Sequence, residues 1–111
     1  MIILDIKSIV LNLVFQQQSR CPFTLSEQLD LCVLRKTMHD TIPSYSLTLG
    51  DRRCILINNS LSVMQQNVHC AEQLGLHLLH NVDDDILLSQ HSSGITQYKT
   101  DAKLFAKILL E

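Results

Sequence analysis

An apolar run followed at once by a long helical pattern constrains the fold more than any other feature of this sequence. Residues 54–57 read Cys-Ile-Leu-Ile without a polar interruption, which predicts a central strand covered on both faces. Residues 58–60 read Asn-Asn-Ser and can cap a helix. Residues 61–79 then place apolar side chains at helical spacing. The chain is therefore expected to pass from a buried strand directly into a long helix.

Alternating polar and apolar residues precede this strand. Tyr45, Leu47 and Leu49 alternate with Ser46 and Thr48, and Gly-Asp-Arg-Arg then leads into the apolar run. Two strands around a tight connection predict a β-hairpin over residues 45–57.

The segment before the hairpin carries mixed signals. Thr24 and Glu27 fit a capping box, which favours a helix start, whereas Leu29, Leu31 and Val33 alternate as in a strand. We predict a short turn near residues 22–27, a strand near 29–35 and a loop over 36–43.

Helical patterns also occupy both ends of the chain. Ile2, Ile6, Ile9 and Leu13 recur at helical spacing, which predicts an amphipathic helix over residues 1–18 whose apolar face packs inside the domain or against a partner. A second pattern predicts a closing helix over residues 100–110, on the buried face of which we place Ala102, Phe105, Ile108 and Leu109. Between the central and closing helices, the three aspartates at 83–85 are interpreted as a solvated loop, and Gly94 as a turn point.

Length and charge limit the remaining classes. The 111 residues suit one domain, residues 1–111, of the α+β class. A net charge of -2 is a poor match for nucleic-acid phosphates. The four cysteines are widely spaced, and the apolar N-terminus is too short and too charged for a membrane span or an export signal. We expect a cytoplasmic protein with reduced thiols that contacts neither nucleic acid nor membrane.

Two segments resemble the ImmA/IrrE family of zinc-dependent peptidases. Residues 55–61, Ile-Leu-Ile-Asn-Asn-Ser-Leu, lead into residues 68–80, Val-His-Cys-Ala-Glu-Gln-Leu-Gly-Leu-His-Leu-Leu-His. They are similar to the family's strand ending in Ile-Asn and its helix carrying Ala-His-Glu-Leu-Gly-His. Residues 101–110 look like its closing helix. The resemblance implies a small zincin-like domain in which a short sheet packs against helices 61–79 and 100–110, the two helices lying side by side.

The resemblance also locates the catalytic positions, and this sequence departs from the motif at each. Glu72 and Leu76 stand where the family has its two zinc-binding histidines, and Gln73 stands at the catalytic glutamate. An amide cannot act as a base near neutral pH, and a leucine cannot bind a metal. Near the expected third ligand the sequence has Lys99 or, as its nearest carboxylate, Asp101, and Lys103 replaces the polar residue after Ala102.

The small and apolar positions of the motif are kept, although its metal-binding and catalytic positions are changed. Ala71, Leu74 and Gly75 match the family motif. A glycine inside a helix costs about 1 kcal/mol relative to alanine, so we expect another backbone element to approach Gly75 closely.

These observations favour a non-catalytic, protein-binding regulator. We predict no catalytic residue and no cofactor, and the resemblance implies a partner of the helix-turn-helix repressor type, bound in the manner of an antirepressor encoded by a phage or mobile element. The predicted contact residues are Glu72, Gln73, Leu76, Ile6 and Leu13. Two alternatives stay open: an active zinc peptidase with displaced ligands at His77 and His80, and a homo-oligomeric structural protein.

Overall fold

The protein is an α+β domain with five helices and one small sheet in the part of the chain that the structure, a computed structural model, describes, residues 2–89 and 94–111. The elements in chain order are α1 (Ile3–Gln17), α2 (Pro22–Gln28), β1 (Cys32–Lys36), β2 (Ser44–Leu49), β3 (Arg52–Asn58), α3 (Val63–His80), α4 (Asp84–Ser89) and α5 (Ile95–Leu109). The predicted fold class is confirmed.

The sheet has the order β1-β3-β2, so the apolar strand is central as predicted. β3 is parallel to β1 and antiparallel to β2. Leu49 pairs with Arg52 and leaves Gly50 and Asp51 as a two-residue loop. Gly50 has a φ of +66°, the left-handed conformation that tight hairpin turns require at this position. The predicted hairpin over residues 45–57 is confirmed.

The segment before β1 differs from the prediction. Residues 22–28 form a helix rather than a turn, with Pro22 in its first turn, where a missing N–H costs nothing. Asp30 then adopts a φ of +63°, and β1 begins at Cys32 rather than near residue 29. A helix therefore forms where the capping-box signal indicated one, but its N-cap is Cys21, without a side-chain hydrogen bond, and Thr24 lies inside the helix.

The central and closing helices pack side by side, as predicted. A Cβ added to Gly75 would lie 2.8 Å from Cδ1 of Phe105, a fully buried side chain of α5. The close approach expected at Gly75 is therefore present, but it is made by a side chain and not by backbone. α5 begins at Ile95 instead of residue 100, and residues 90–93 of the predicted connection lie outside the described residues.

α1 covers the far side of α5 with a narrow apolar stripe. Ile6 and Val10 are 0% exposed and Leu13 is 8% exposed, all three belonging to the main core. The prediction that Ile6 and Leu13 contact a partner was wrong, because both side chains pack into the main core of the domain. Leu4, Leu11 and Phe15 form the exposed apolar face of this helix instead.

None of the helices within residues 2–89 and 94–111 combines the length and the apolar character of a membrane span.

Candidate functional site

The strand-to-helix connection holds the loop that precedes β2. Asn58 is 1% exposed, and its Nδ2 donates to the carbonyl oxygens of Met38, His39 and Ile42 at 3.3, 3.2 and 3.0 Å. Its Oδ1 accepts from the backbone N–H and the hydroxyl of Ser60. One buried amide thus fixes where β2 begins relative to α3.

A cavity of about 310 Å³ lies between α3, α5 and the start of β2. We call it the α3–α5 cleft. It is lined by Pro43, Ser44, His69, Glu72, Gln73, Leu76, Asp84, Lys99, Ala102 and Lys103. The structure therefore brings together all three positions that the sequence motif singled out on α3.

Gln73 is held as a hydrogen-bond donor on the side of the cleft that faces Ser44 and Asp84. It is 9% exposed, and its Nε2 donates to Oγ of Ser44 at 3.0 Å and to Oδ2 of Asp84 at 2.9 Å. The carboxylate acceptor fixes which end of the amide faces Asp84. Oε1 of Gln73 is buried and has no hydrogen-bond partner among the described residues. This side chain therefore acts as a structural donor and cannot serve as a base.

Asp84 joins α4 to the edge strand of the sheet. Its Oδ2 accepts from the backbone N–H of Ser46 at 2.7 Å, and its own N–H donates to Oγ of Ser46 at 3.1 Å. The carboxylate that meets Gln73 is thus anchored from the opposite side as well.

Both neighbours of Asp84 also bind β2. Asp83 is 3% exposed and accepts from Oγ1 of Thr48 at 2.7 Å. The hydroxyl of Tyr45 donates to Asp85, and this bond to the carboxylate raises the pKa of Tyr45 to about 12. The interpretation of residues 83–85 as a solvated loop was wrong, because each carboxylate pairs with a donor on β2.

The two histidine positions of the family motif hold side chains with other contacts. Oε2 of Glu72 lies 3.5 Å from Nδ1 of His69. Leu76 is 4% exposed and belongs to a small apolar cluster with Leu87 and Ala102. Neither position offers an imidazole.

Of the two α5 residues that the resemblance places near the third ligand position, Lys99 lines the cleft and Asp101 does not. Lys99 lines the cleft with an exposed side chain, and Lys103 follows one turn later on the same wall. An ammonium group at this position repels a divalent metal instead of binding it. The residues at the family's ligand positions therefore do not fit a zinc ion, and within the described residues no three His, Cys, Asp or Glu side chains are grouped to hold one.

The histidines proposed as displaced ligands face different partners. Nδ1 of His77 lies 2.6 Å from a guanidinium nitrogen of Arg53 and accepts from it. Burial, followed by the Arg53 charge, lowers the pKa of His77, so the ring is neutral at pH 7. Nε2 of His80 lies 2.8 Å from Oδ2 of Asp101 on α5. The two rings thus bind different elements beside α3: His77 contacts β3 and His80 contacts α5.

Asp101 is the one carboxylate of α5, and it is 2% exposed. Burial by itself raises the pKa of this group, but hydrogen bonds from Gln97 and His80 outweigh that effect and lower it. Nε2 of Gln97 donates to Oδ1 at 2.8 Å. Asp101 therefore stays charged and joins α5 to the end of α3, away from the cleft lining.

Sequence reasoning missed Ser44 and Asp84, which determine the chemistry of Gln73. Asp84 lies 11 residues from Gln73 and 38 from Ser46, so no local pattern signals the contact. The aspartate run itself was the available signal, since three adjacent carboxylates near a strand edge require donors.

A peptidase family model described as an IrrE N-terminal-like domain matches residues 26–110. No curated protein shows a significant match to the chain. The matched range contains β1 to β3 and α3 to α5, and therefore every residue that lines the cleft.

Proposed function

Because the chain belongs to the IrrE N-terminal-like family of peptidases, we propose that it is a non-catalytic member that works by binding another protein. In this proposal the peptidase scaffold is kept as a rigid frame, and the former catalytic groove serves as a recognition surface. The proposal assigns Glu72, Gln73 and Leu76 to partner contact and assigns no residue to catalysis.

The hydrogen bonding of Gln73 is the single observation that carries this proposal. Zinc peptidases of this type need a carboxylate that takes a proton from metal-bound water. At that position the amide of Gln73 donates to Asp84 at 2.9 Å and to Ser44 at 3.0 Å. Its role is to hold α3 against α4 and β2, and hydrolysis has no proton acceptor at this point.

The family resemblance supports a helix-turn-helix repressor as the partner. Relatives in phages and other mobile elements relieve repression by acting on such proteins, and a member that binds without cutting would act as an antirepressor. A cavity of about 310 Å³ with an apolar floor suits a few anchoring side chains of a protein partner. The proposed partner implies a protein that works in the cytoplasm.

The test combines metal content, proteolysis and binding on one purified sample. After equilibration with excess zinc and removal of the free ion, we expect less than stoichiometric zinc by mass spectrometry and no cleavage of a helix-turn-helix repressor encoded beside the gene. We expect that repressor to bind in calorimetry. Stoichiometric zinc together with cleavage that a chelator abolishes would overturn the proposal and favour the displaced-ligand peptidase.

A homo-oligomeric structural protein is the second candidate, and the exposed face of α1 favours it. Leu4, Leu11 and Phe15 are 69%, 48% and 76% exposed and lie on one helical stripe. Light scattering of the isolated chain decides this point. A stable oligomer that Leu11→Lys dissociates would support the structural role, whereas a monomer that binds the repressor excludes it.

A further inference from the structure

A row of three lysines runs along one face of α5. Lys99, Lys103 and Lys107 are spaced by four residues, and all three are exposed. This spacing places them on one stripe about 12 Å long. None of the three makes an ion pair within residues 2–89 and 94–111, so the stripe carries three uncompensated charges across this wall of the molecule.

The acidic groups of the cleft are already engaged. Glu72 lies 3.5 Å from His69. Asp84 accepts from Ser46 and from Gln73 at 2.7 and 2.9 Å. These carboxylates face donors of their own scaffold, whereas the ammonium groups on the opposite wall face solvent. The two carboxylates keep their negative charge but are turned toward donors of their own scaffold, so the two ammonium groups are the charges of the cleft that remain open to a guest.

The floor between these charges is apolar and continues beyond the cleft. Leu76 and Ala102 are 4% exposed and lie beneath the lysines. A second hollow of about 390 Å³ shares Lys99 with the cleft and adds Leu87, Leu88 and Ile95 to the lining. A guest that covers both hollows needs apolar side chains as well as acidic ones.

From these features we infer that the α3–α5 cleft binds an acidic amphipathic segment of the partner protein, with its carboxylates on Lys99 and Lys103 and an apolar side chain over Leu76. Acidic residues four positions apart on a helix have the same spacing as the two lysines. This inference deepens the proposed function and rests on it, since it names the chemistry of the segment that the former catalytic groove receives.

A peptide fits this site better than a nucleic acid does. The chain carries a net charge of -2, and Glu72 and Asp84 line the same cleft as the lysines. A continuous row of phosphates would meet those carboxylates as well as the lysines, which is unfavourable. Two spaced carboxylates on a peptide reach only the lysine wall.

The test selects ligands without assuming their sequence. A displayed library of random 12-residue peptides is selected on the wild-type chain, and each recovered peptide is then measured by fluorescence anisotropy. We expect enrichment of peptides with acidic residues three or four positions apart around a large apolar residue. We also expect their affinity to fall as salt rises.

Variants assign the binding to the cleft. Lys99→Gln and Lys103→Gln are each expected to weaken binding of these peptides by roughly two- to fivefold, as for exposed ion pairs. Lys36→Gln removes an equally exposed lysine outside the cleft lining and should leave the affinity unchanged. Circular dichroism melting confirms that each variant is folded.

Three results would overturn the inference: no peptide recovered, recovered peptides without acidic enrichment, or equal affinities for wild type and the double variant that combines Lys99→Gln with Lys103→Gln. Tighter, lysine-dependent binding of a single-stranded 20-nucleotide DNA would overturn it in favour of a nucleic-acid site. If instead the repressor binds in calorimetry and the double variant binds it equally well, the inference fails while the proposed function stands.

Discussion

At the residue scale, the contact between Gln73 and Asp84 commits this position to an amide. The two side chains meet at 2.9 Å in a place where Gln73 is only 9% exposed. A glutamate at position 73 would place two carboxylates next to each other in a largely buried site. One of them would then have to take up a proton. Gln73 and Asp84 are therefore matched to each other, and a change of Gln73 alone to an acid is unfavourable.

We expect Gln73→Glu to lower the free energy of unfolding by about 2 kcal/mol at pH 7, because it replaces a buried donor with a like charge. The loss should shrink at pH 5, where one carboxyl of the pair is protonated more readily. Urea unfolding of the variant and the wild type at both pH values measures it.

Adding Asp84→Asn to Gln73→Glu supplies the control. It removes the charge repulsion, so part of the stability should return at pH 7. The return should be incomplete, because the Asp84 oxygen that meets position 73 also accepts from Ser46 N–H, which an amide NH2 group at that place cannot do. A Gln73→Glu protein as stable as wild type would contradict the structural role assigned to this amide.

The lowered pKa of Asp101 makes a separate, pH-dependent prediction. A carboxyl whose folded-state pKa lies below its unfolded value of 3.8 contributes stability above that value, and the contribution is lost as the pH falls through the lower, folded-state pKa. Asp101→Asn should therefore cost about 1 kcal/mol at pH 7 and progressively less below pH 3.8.

Denaturant unfolding from pH 7 to pH 3 measures this difference, with Asp40→Asn as a control at an exposed loop carboxylate. A difference between wild type and Asp101→Asn that stays constant over the range would show that the charge of Asp101 contributes nothing.

At the scale of elements, the contact between α3 and α5 depends on a missing side chain. Gly75→Ala should gain about 1 kcal/mol of helix propensity, yet the new Cβ would lie 2.8 Å from Phe105. Because Phe105 is fully buried and cannot move aside, we expect a net loss of roughly 1–3 kcal/mol. Thermal and urea unfolding measure it.

The same substitution in a Phe105→Ala background tests the cause. The two losses should be less than additive, since alanine lacks Cγ and Cδ1, two of the three Phe105 atoms that crowd the added methyl group. Additive losses would mean that Phe105 is not the group that excludes a side chain at position 75.

Elements with strong local signals could be predicted from the sequence. The hairpin follows from alternation on both sides of Gly50, and α3 follows from a long periodic run. The cap of α3 is Ser62, which accepts from Gln65 N, and not the residues 58–60 named from the sequence. α2 was mistaken for a turn because its seven residues are too few to show a period. The early start of α5 at Ile95 was missed because polar residues in its first turn hide the apolar face.

The candidate site was predictable only in part. The motif gave the positions of Glu72, Gln73 and Leu76, because spacing along one helix fixes which residues share a face. It could not give the partner of Gln73, since Asp84 reaches the amide only after α4 has packed on β2. Nor could it tell which apolar residues of α1 turn inward, because both faces of that helix carry large aliphatic side chains.

At the scale of the whole molecule, α1 completes the core although it precedes the matched range of residues 26–110. Ile6→Ala should cost roughly 2–5 kcal/mol, as expected for truncating a side chain that is 0% exposed. Leu4→Ala on the exposed side of the same helix should change stability by less than about 0.5 kcal/mol. Urea unfolding of both variants makes the comparison, and equal effects would mean that α1 does not pack as described.

The bond from Ser46 N–H to Asp84 at 2.7 Å has a consequence for how any guest can enter. β2 is an outer strand, and an unpaired outer strand ordinarily invites a foreign chain to align beside it and extend the sheet. Here the carboxylate of Asp84 already accepts a hydrogen bond from the outward-facing backbone N–H of Ser46, in the middle of that strand. A chain that lies along β2 therefore cannot bond to this N–H and is recognised there through its side chains, and a second copy of the protein cannot extend the sheet across Ser46.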